Sequence, residues 1–122
     1  MSIQLQIEEM PGHLAAKFTG AGTAEEVWRQ YELIAERCKR ANKNKLLLDF
    51  TEAYVEASLA DKYILGEQAQ IFARYKVIKA AAVAKLEQID PERFGETVAR
   101  NRRVKGRVFT NAEDAKEWLL KE

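Results

Sequence analysis

The stretch Lys45–Leu65, KLLLDFTEAYVEASLADKYIL, decides the fold. Leu46-Leu47-Leu48 is an unbroken apolar run closed by Asp49 and Phe50, with helical patterns on either side. A central parallel strand reads this way because both of its faces are covered. The more polar residues 51–58 read as a loop, and Ser58 opens a helix. In open α/β sheets the functional site usually lies just beyond the carboxyl ends of such strands. Function is therefore expected between Asp49 and Asp61, as a switch loop without a catalytic set.

Upstream, Ile3, Leu5 and Ile7 alternate with Gln4, Gln6 and Glu8, the pattern of a half-buried strand. Pro11-Gly12 marks a turn, so His13–Thr19 is expected to return antiparallel as a hairpin. Gly20-Ala21-Gly22 reads as a break in the chain. It is no phosphate cradle, because Glu25 stands where the dinucleotide fingerprint needs its third glycine. Thr23 and Glu26 have the spacing of a capping box. Val27, Tyr31, Ile34, Ala35 and Cys38 then recur at helical spacing, and one helix is expected to end near Asn42. Strand, helix, strand in this order requires a parallel crossover.

Downstream, one helix is expected over Leu59–Tyr75. Its apolar residues, among them Leu59, Tyr63, Ile64, Leu65, Ile71 and Phe72, cover more than one face. Such a helix is buried on several sides or offers a second surface to a partner or ligand, and burial is the plainer reading. Val77–Val83 reads as another buried strand, and Asp90-Pro91 opens a helix with proline at its first position. Arg107-Val108-Phe109 is a short last strand. Asn111 caps a final helix whose Ala112, Ala115, Trp118 and Leu119 are expected to face inward. The expectation is one α/β domain over residues 1–122.

Composition narrows the function classes. With 47% hydrophobic and 32% charged residues the chain has the balance of a soluble globular protein. A formal net charge of +1 selects no partner class. The single cysteine, Cys38, excludes an intrachain disulfide and implies no oxidising compartment. No apolar stretch approaches membrane-spanning length, and the first residues lack the pattern of a signal peptide, so a soluble, cytoplasmic protein is expected. His13 is the only histidine, which excludes a multi-His metal site within one chain. No metal and no cofactor is expected.

Four segments together resemble the SpoIIAA-like group of STAS domains (sulfate transporter and anti-sigma factor antagonist). They are LLLDFTEA (Leu46–Ala53), SLADKYILGE (Ser58–Glu67), VIKAAAVAK (Val77–Lys85) and VFTNAEDAKEWL (Val108–Leu119). The last is the most specific, and their order and spacing cover nearly the whole chain. The resemblance implies a mostly parallel sheet of about five strands with an N-terminal antiparallel hairpin and four helices. It also implies a non-enzymatic role in protein interaction or ligand binding, with lipid-binding domains of the CRAL-TRIO type among the wider relatives. In anti-sigma factor antagonists of this fold, the loop after the central strand carries Asp-Ser-Ser-Gly, whose first serine a partner kinase phosphorylates. Ser58 falls at that serine by its distance from Asp49, but its neighbours Ala57, Leu59 and Ala60 do not match the motif. The residues themselves explain Ser58 as an N-cap with Asp61 in an acidic first turn.

Three readings of function remain. The first is a regulatory interaction module with a protein partner, in which helix 59–75 would also suit a homodimer. The second is a carrier of a lipid or small apolar molecule. Tyr54, Val55, Tyr63, Ile64 and Phe72 are the candidate contacts for either. The third is a small enzyme, for which the chain supplies no activated nucleophile or metal set, so no catalytic residue is assigned. Between Arg74 and Arg107 ten Lys/Arg stand against four acids, and Arg100, Arg102, Arg103 and Lys105 form a candidate anion-binding patch. No aromatic residues interleave with that run, so a solvated helix end explains it and no nucleic acid is expected.

Overall fold

The structure, a computed structural model, describes residues 2–85 and 104–121. Five strands form one sheet in chain order: β1 (Gln4–Met10), β2 (His13–Thr23), β3 (Lys45–Glu56), β4 (Lys79–Val83) and β5 (Lys105–Phe109). β1 and β2 are antiparallel across the Pro11-Gly12 turn, and every other pairing is parallel. This is the mixed sheet with an N-terminal hairpin that the sequence implies.

Side-chain alternation divides the sheet into two faces. Leu14, Ala16, Phe18, Leu46 and Leu48 point to the first. Over them lie α1 (Ala24–Trp28), α2 (Tyr31–Arg40) and α4 (Ile71–Arg74), which contribute Val27, Tyr31, Ile34, Cys38 and Phe72. Ala15, Leu47, Ala81, Val83 and Phe109 point to the second face, under α5 (Ala112–Leu120) with its Ala115, Trp118 and Leu119. Leu46-Leu47-Leu48 is apolar throughout because its alternate residues serve both cores. Ala112, expected to face inward, is exposed at the start of α5, one turn before the helix reaches the sheet.

Three boundaries differ from the sequence reading, each for a local reason. β2 does not stop at Gly20-Ala21-Gly22 but runs through it. Gly20 has φ +92°, and a Cβ there would meet the Ser2 carbonyl oxygen at 2.7 Å. At Gly22 a Cβ would meet Ile3 Cγ1 at 2.9 Å and also the Glu26 carboxylate. The two glycines let the start of the chain lie against the strand. Glu26 secures that arrangement, accepting from Thr23 N–H at 2.8 Å and Ile3 N–H at 3.3 Å. Those bonds hold its carboxyl below the usual range.

The second difference is that each expected long helix is two. The first is interrupted at Arg29-Gln30, and the second divides into α3 (Leu59–Gln68) and α4 at Ala69-Gln70. Neither interruption contains glycine or proline, so composition gives no signal of it. α2 and α4 both close through residues in the left-handed region, Asn42 at φ 58° and Lys76 at φ 67°. In each, the following N–H reaches back five residues, Lys43 to Cys38 O at 2.8 Å and Val77 to Phe72 O at 2.9 Å. That is the Schellman stop. The third difference, the extension of β3 to Glu56, shapes the candidate site. The helix expected from Asp90-Pro91 lies outside the described residues.

Candidate functional site

β3 changes step after Asp49. Lys17 pairs with Asp49 and Thr19 with Glu52, so Phe18 of β2 faces both Phe50 and Thr51 of β3. The extra residue is a bulge. Asp49 holds it, since one carboxylate oxygen accepts from the Thr51 N–H at 2.9 Å and the Thr51 hydroxyl at 2.7 Å. Phe50 keeps its place on the first face, stacked on Phe18 with centroids 4.8 Å apart. Beyond the bulge the alternation is reversed. Ala53 and Val55 turn toward the helices, Glu52 reaches the Lys17 ammonium in an ion pair, and Tyr54 points away and is 68% exposed.

Residues 52–56 are thus strand and not the expected loop, pairing in register with Thr19–Thr23. β4 pairs with β3 only as far as Asp49, so β2 and β3 continue together past it. Ala57 and Ser58 alone join this extension to α3. The Ser58 hydroxyl accepts from Asp61 N–H at 3.1 Å, and Asp61 in return accepts from Ser58 N–H at 3.0 Å. This reciprocal box fixes where α3 begins.

α3 itself packs thinly. Gly66 is its only buried residue, while Leu59 is 68% and Tyr63 41% exposed. Of the candidate contact residues, Tyr54 and Tyr63 lie at the surface and Ile64 is half-buried. Val55 is half-buried against the core, on the opposite side of β3 from Tyr54. Phe72, expected at a contact surface, is 1% exposed with its ring centroid 5.0 Å from that of Tyr31, so it is part of the core and not of the surface. Lys105 opens β5 and is exposed, whereas Arg100, Arg102 and Arg103 lie outside the described residues.

The chemistry of the remaining groups is quiet. Burial pushes the Cys38 thiol up to about 11, which leaves it protonated and unreactive at neutral pH. Burial likewise raises Tyr31. Among the described residues no group of three or more His, Cys, Asp or Glu is placed to hold a metal ion. No described helix is long and apolar enough to cross a membrane. An open hollow between α2 and α4 is lined by Glu36, Lys39, Arg40 and Tyr75, a mostly charged set ill-suited to an apolar ligand.

No protein-family model and no curated protein matches the sequence. Solved structures do match, over nearly its full length. An anti-sigma factor antagonist from Mycobacterium paratuberculosis superposes with a TM-score of 0.64 at 12% identity, over 98% of this chain and 96% of that one. An uncharacterized protein of the DUF3478 family from Shewanella loihica PV-4, described as having a SpoIIAA-like fold, gives 0.55 at 23% identity, over 97% and 94%. The fold is SpoIIAA-like. The chain departs from the resemblance at the residues around Ser58, where the capping box stands in place of Asp-Ser-Ser-Gly.

Proposed function

We propose that this SpoIIAA-like chain is a non-enzymatic regulatory module that binds a protein partner through the carboxyl end of β3 and the outer side of α3. The observation that carries the reading is α3 itself. It has one buried residue, and its Leu59 is 68% and its Tyr63 41% exposed, a few residues after the 68% exposed Tyr54 at the end of β3. Exposed apolar side chains gathered at one end of a sheet are what a protein contact uses, and tyrosines are favoured there. The likeness in fold to a protein named as an antagonist of an anti-sigma factor supports the same reading. Ser58 serves as the cap of α3. Its oxygen is already engaged, and a phosphate on it would sit beside the Asp61 carboxylate.

A photo-crosslinking residue at Tyr63, with a control at Lys116 on α5, tests this in the native host. An adduct to one protein at position 63 and none at 116 is expected, and Tyr54→Glu should weaken it. Native mass spectrometry separates the other readings. A bound apolar mass would favour the carrier, and a dimer mass abolished by Ile64→Glu would make the partner a second copy. A phosphate mapped to Ser58 would make that residue a switch. A bare monomer without a crosslink at 63 would reject the proposal.

A further inference from the structure

The two ends of the sheet differ in charge. At the amino ends of the parallel strands, segments 41–45, 75–79, 104–106 and 119–121 hold Lys43, Lys45, Lys76, Lys79, Lys105 and Lys121 without one acid among the described residues, and Glu122 follows Lys121 in the sequence. The acids nearest in the sheet, Glu8 and Glu9, sit on the β1 edge. At the carboxyl ends stand Glu52, Glu56, Asp61, Glu113 and Asp114, with Lys17, Lys62 and Lys85 among them. Residues 86–103 carry four acids and four bases and so add no net charge. In a chain with a formal charge of +1, positive charge is thus concentrated at the amino ends of the strands.

Register concentrates the positive end. Lys45 pairs with Lys79 and Lys79 with Lys105, so three lysines leave adjacent strands on the face that α5 covers. Like charges side by side in a sheet repel and need compensation. Lys79 finds it within the fold. Its ammonium donates to the Trp118 carbonyl and, at 2.8 Å, to the Lys121 carbonyl, and it lies 4.4 Å from the Trp118 ring centroid. These partners belong to the negative end of α5. Burial first, and then the charges of Lys45, Lys105 and Lys121, hold the Lys79 pKa below its ordinary value. No carboxylate of the described residues forms an ion pair with Lys45, Lys105 or Lys121. Among these lysines, next to Lys79 and Lys121, Ile78 is 53% and Leu120 44% exposed.

We propose that this end of the molecule docks on an anionic bilayer, with Lys45, Lys105 and Lys121 against lipid phosphates and Ile78 and Leu120 entering the interface. Ammonium groups spread over four loops, with aliphatic side chains between them, match a flat anionic surface that has an apolar layer beneath it. A nucleic acid would call for arginine forks or stacking aromatics, and these segments hold no arginine and one aromatic, Tyr75, which is half-buried against the core. An acidic protein segment would leave Ile78 and Leu120 without a use. Docked in this way, the acidic end and α3 face away from the membrane.

Sedimentation of the full chain with phosphatidylcholine vesicles, with and without phosphatidylserine, tests the proposal. Binding is expected only with phosphatidylserine, falling steeply as salt is raised. The triple variant Lys45→Gln, Lys105→Gln, Lys121→Gln should bind on the order of 100-fold more weakly, at about fivefold per lysine. Lys79 is left intact because it holds α5, and an unchanged circular dichroism spectrum confirms folding. Ile78→Ser should weaken binding several-fold without altering lipid preference. No wild-type binding at low salt, equal binding to both vesicles, or an unaffected triple variant would overturn the proposal. So would tighter binding to duplex DNA or to polyglutamate than to the vesicles.

Discussion

His13 is 3% exposed at the start of β2, and neither ring nitrogen makes a hydrogen bond. Burial is the main reason its pKa lies below the ordinary 6.5. The Lys116 and Lys43 ammonium groups add to that, while the Pro11 carbonyl opposes it without completing a hydrogen bond. The unfolded chain thus takes up a proton that the folded chain refuses. Stability is full above the unfolded pKa and is lost as pH falls through it toward the lower folded value. Urea denaturation at about pH 7.5 and about pH 5 should show that loss, and His13→Leu should abolish it. Phe72 and Tyr63 give a second contrast. Phe72→Ala should cost about 3–5 kcal/mol, as buried aromatic truncations do. Tyr63→Ala, at a position 41% exposed, should cost far less, about 1 kcal/mol. In a continuous helix these two residues, nine apart, lie on opposite faces. The apolar pattern shows that both faces are occupied but cannot say which one meets the sheet, which is why both read as contact residues.

At the scale of elements, the least legible feature was the bulge at Phe50-Thr51. Periodicity finds strands by a constant step, and one extra residue erases the step where it occurs. Ala53 and Val55 belong to the same apolar row as Leu46, Leu48 and Phe50, but an odd spacing disguises them as loop. The capping box at Thr23 and the caps at Ser58 and Asn111 were legible because they are local, set by residues two or three apart. The Schellman stops at Asn42 and Lys76 were not, since neither uses the glycine that normally marks one. The bulge yields an asymmetric prediction for single-residue deletions. Removing Thr51 restores a regular register with Ala53 and Val55 still inward, so the fold should survive at a cost of about 1–2 kcal/mol from the lost Asp49 bonds. Removing Ala53 turns Tyr54 or Glu52 into the core and should abolish the cooperative urea transition altogether.

For the whole molecule, the sheet order repeats the chain order. Right-handed crossovers that always step in one direction place their helices on one face, which is where α1, α2 and α4 lie. α5, which follows β5, packs on the other face. The resemblance carried this architecture, and the residues alone carried its parallel centre. The arrangement has a consequence for how the chain is made. By the time Glu56 has left the ribosome, β1 to β3 and the first two helices are complete, including the two longest strands. The nascent chain can lay down its sheet in the order of translation. Among the described residues, Leu47, Ala81 and Val83 lie under α5, which emerges after all of them. A chain released at Thr110 should therefore bind a hydrophobic dye that the full chain excludes. While it is being made, the growing protein has one finished side and one side that needs shelter until α5 closes it.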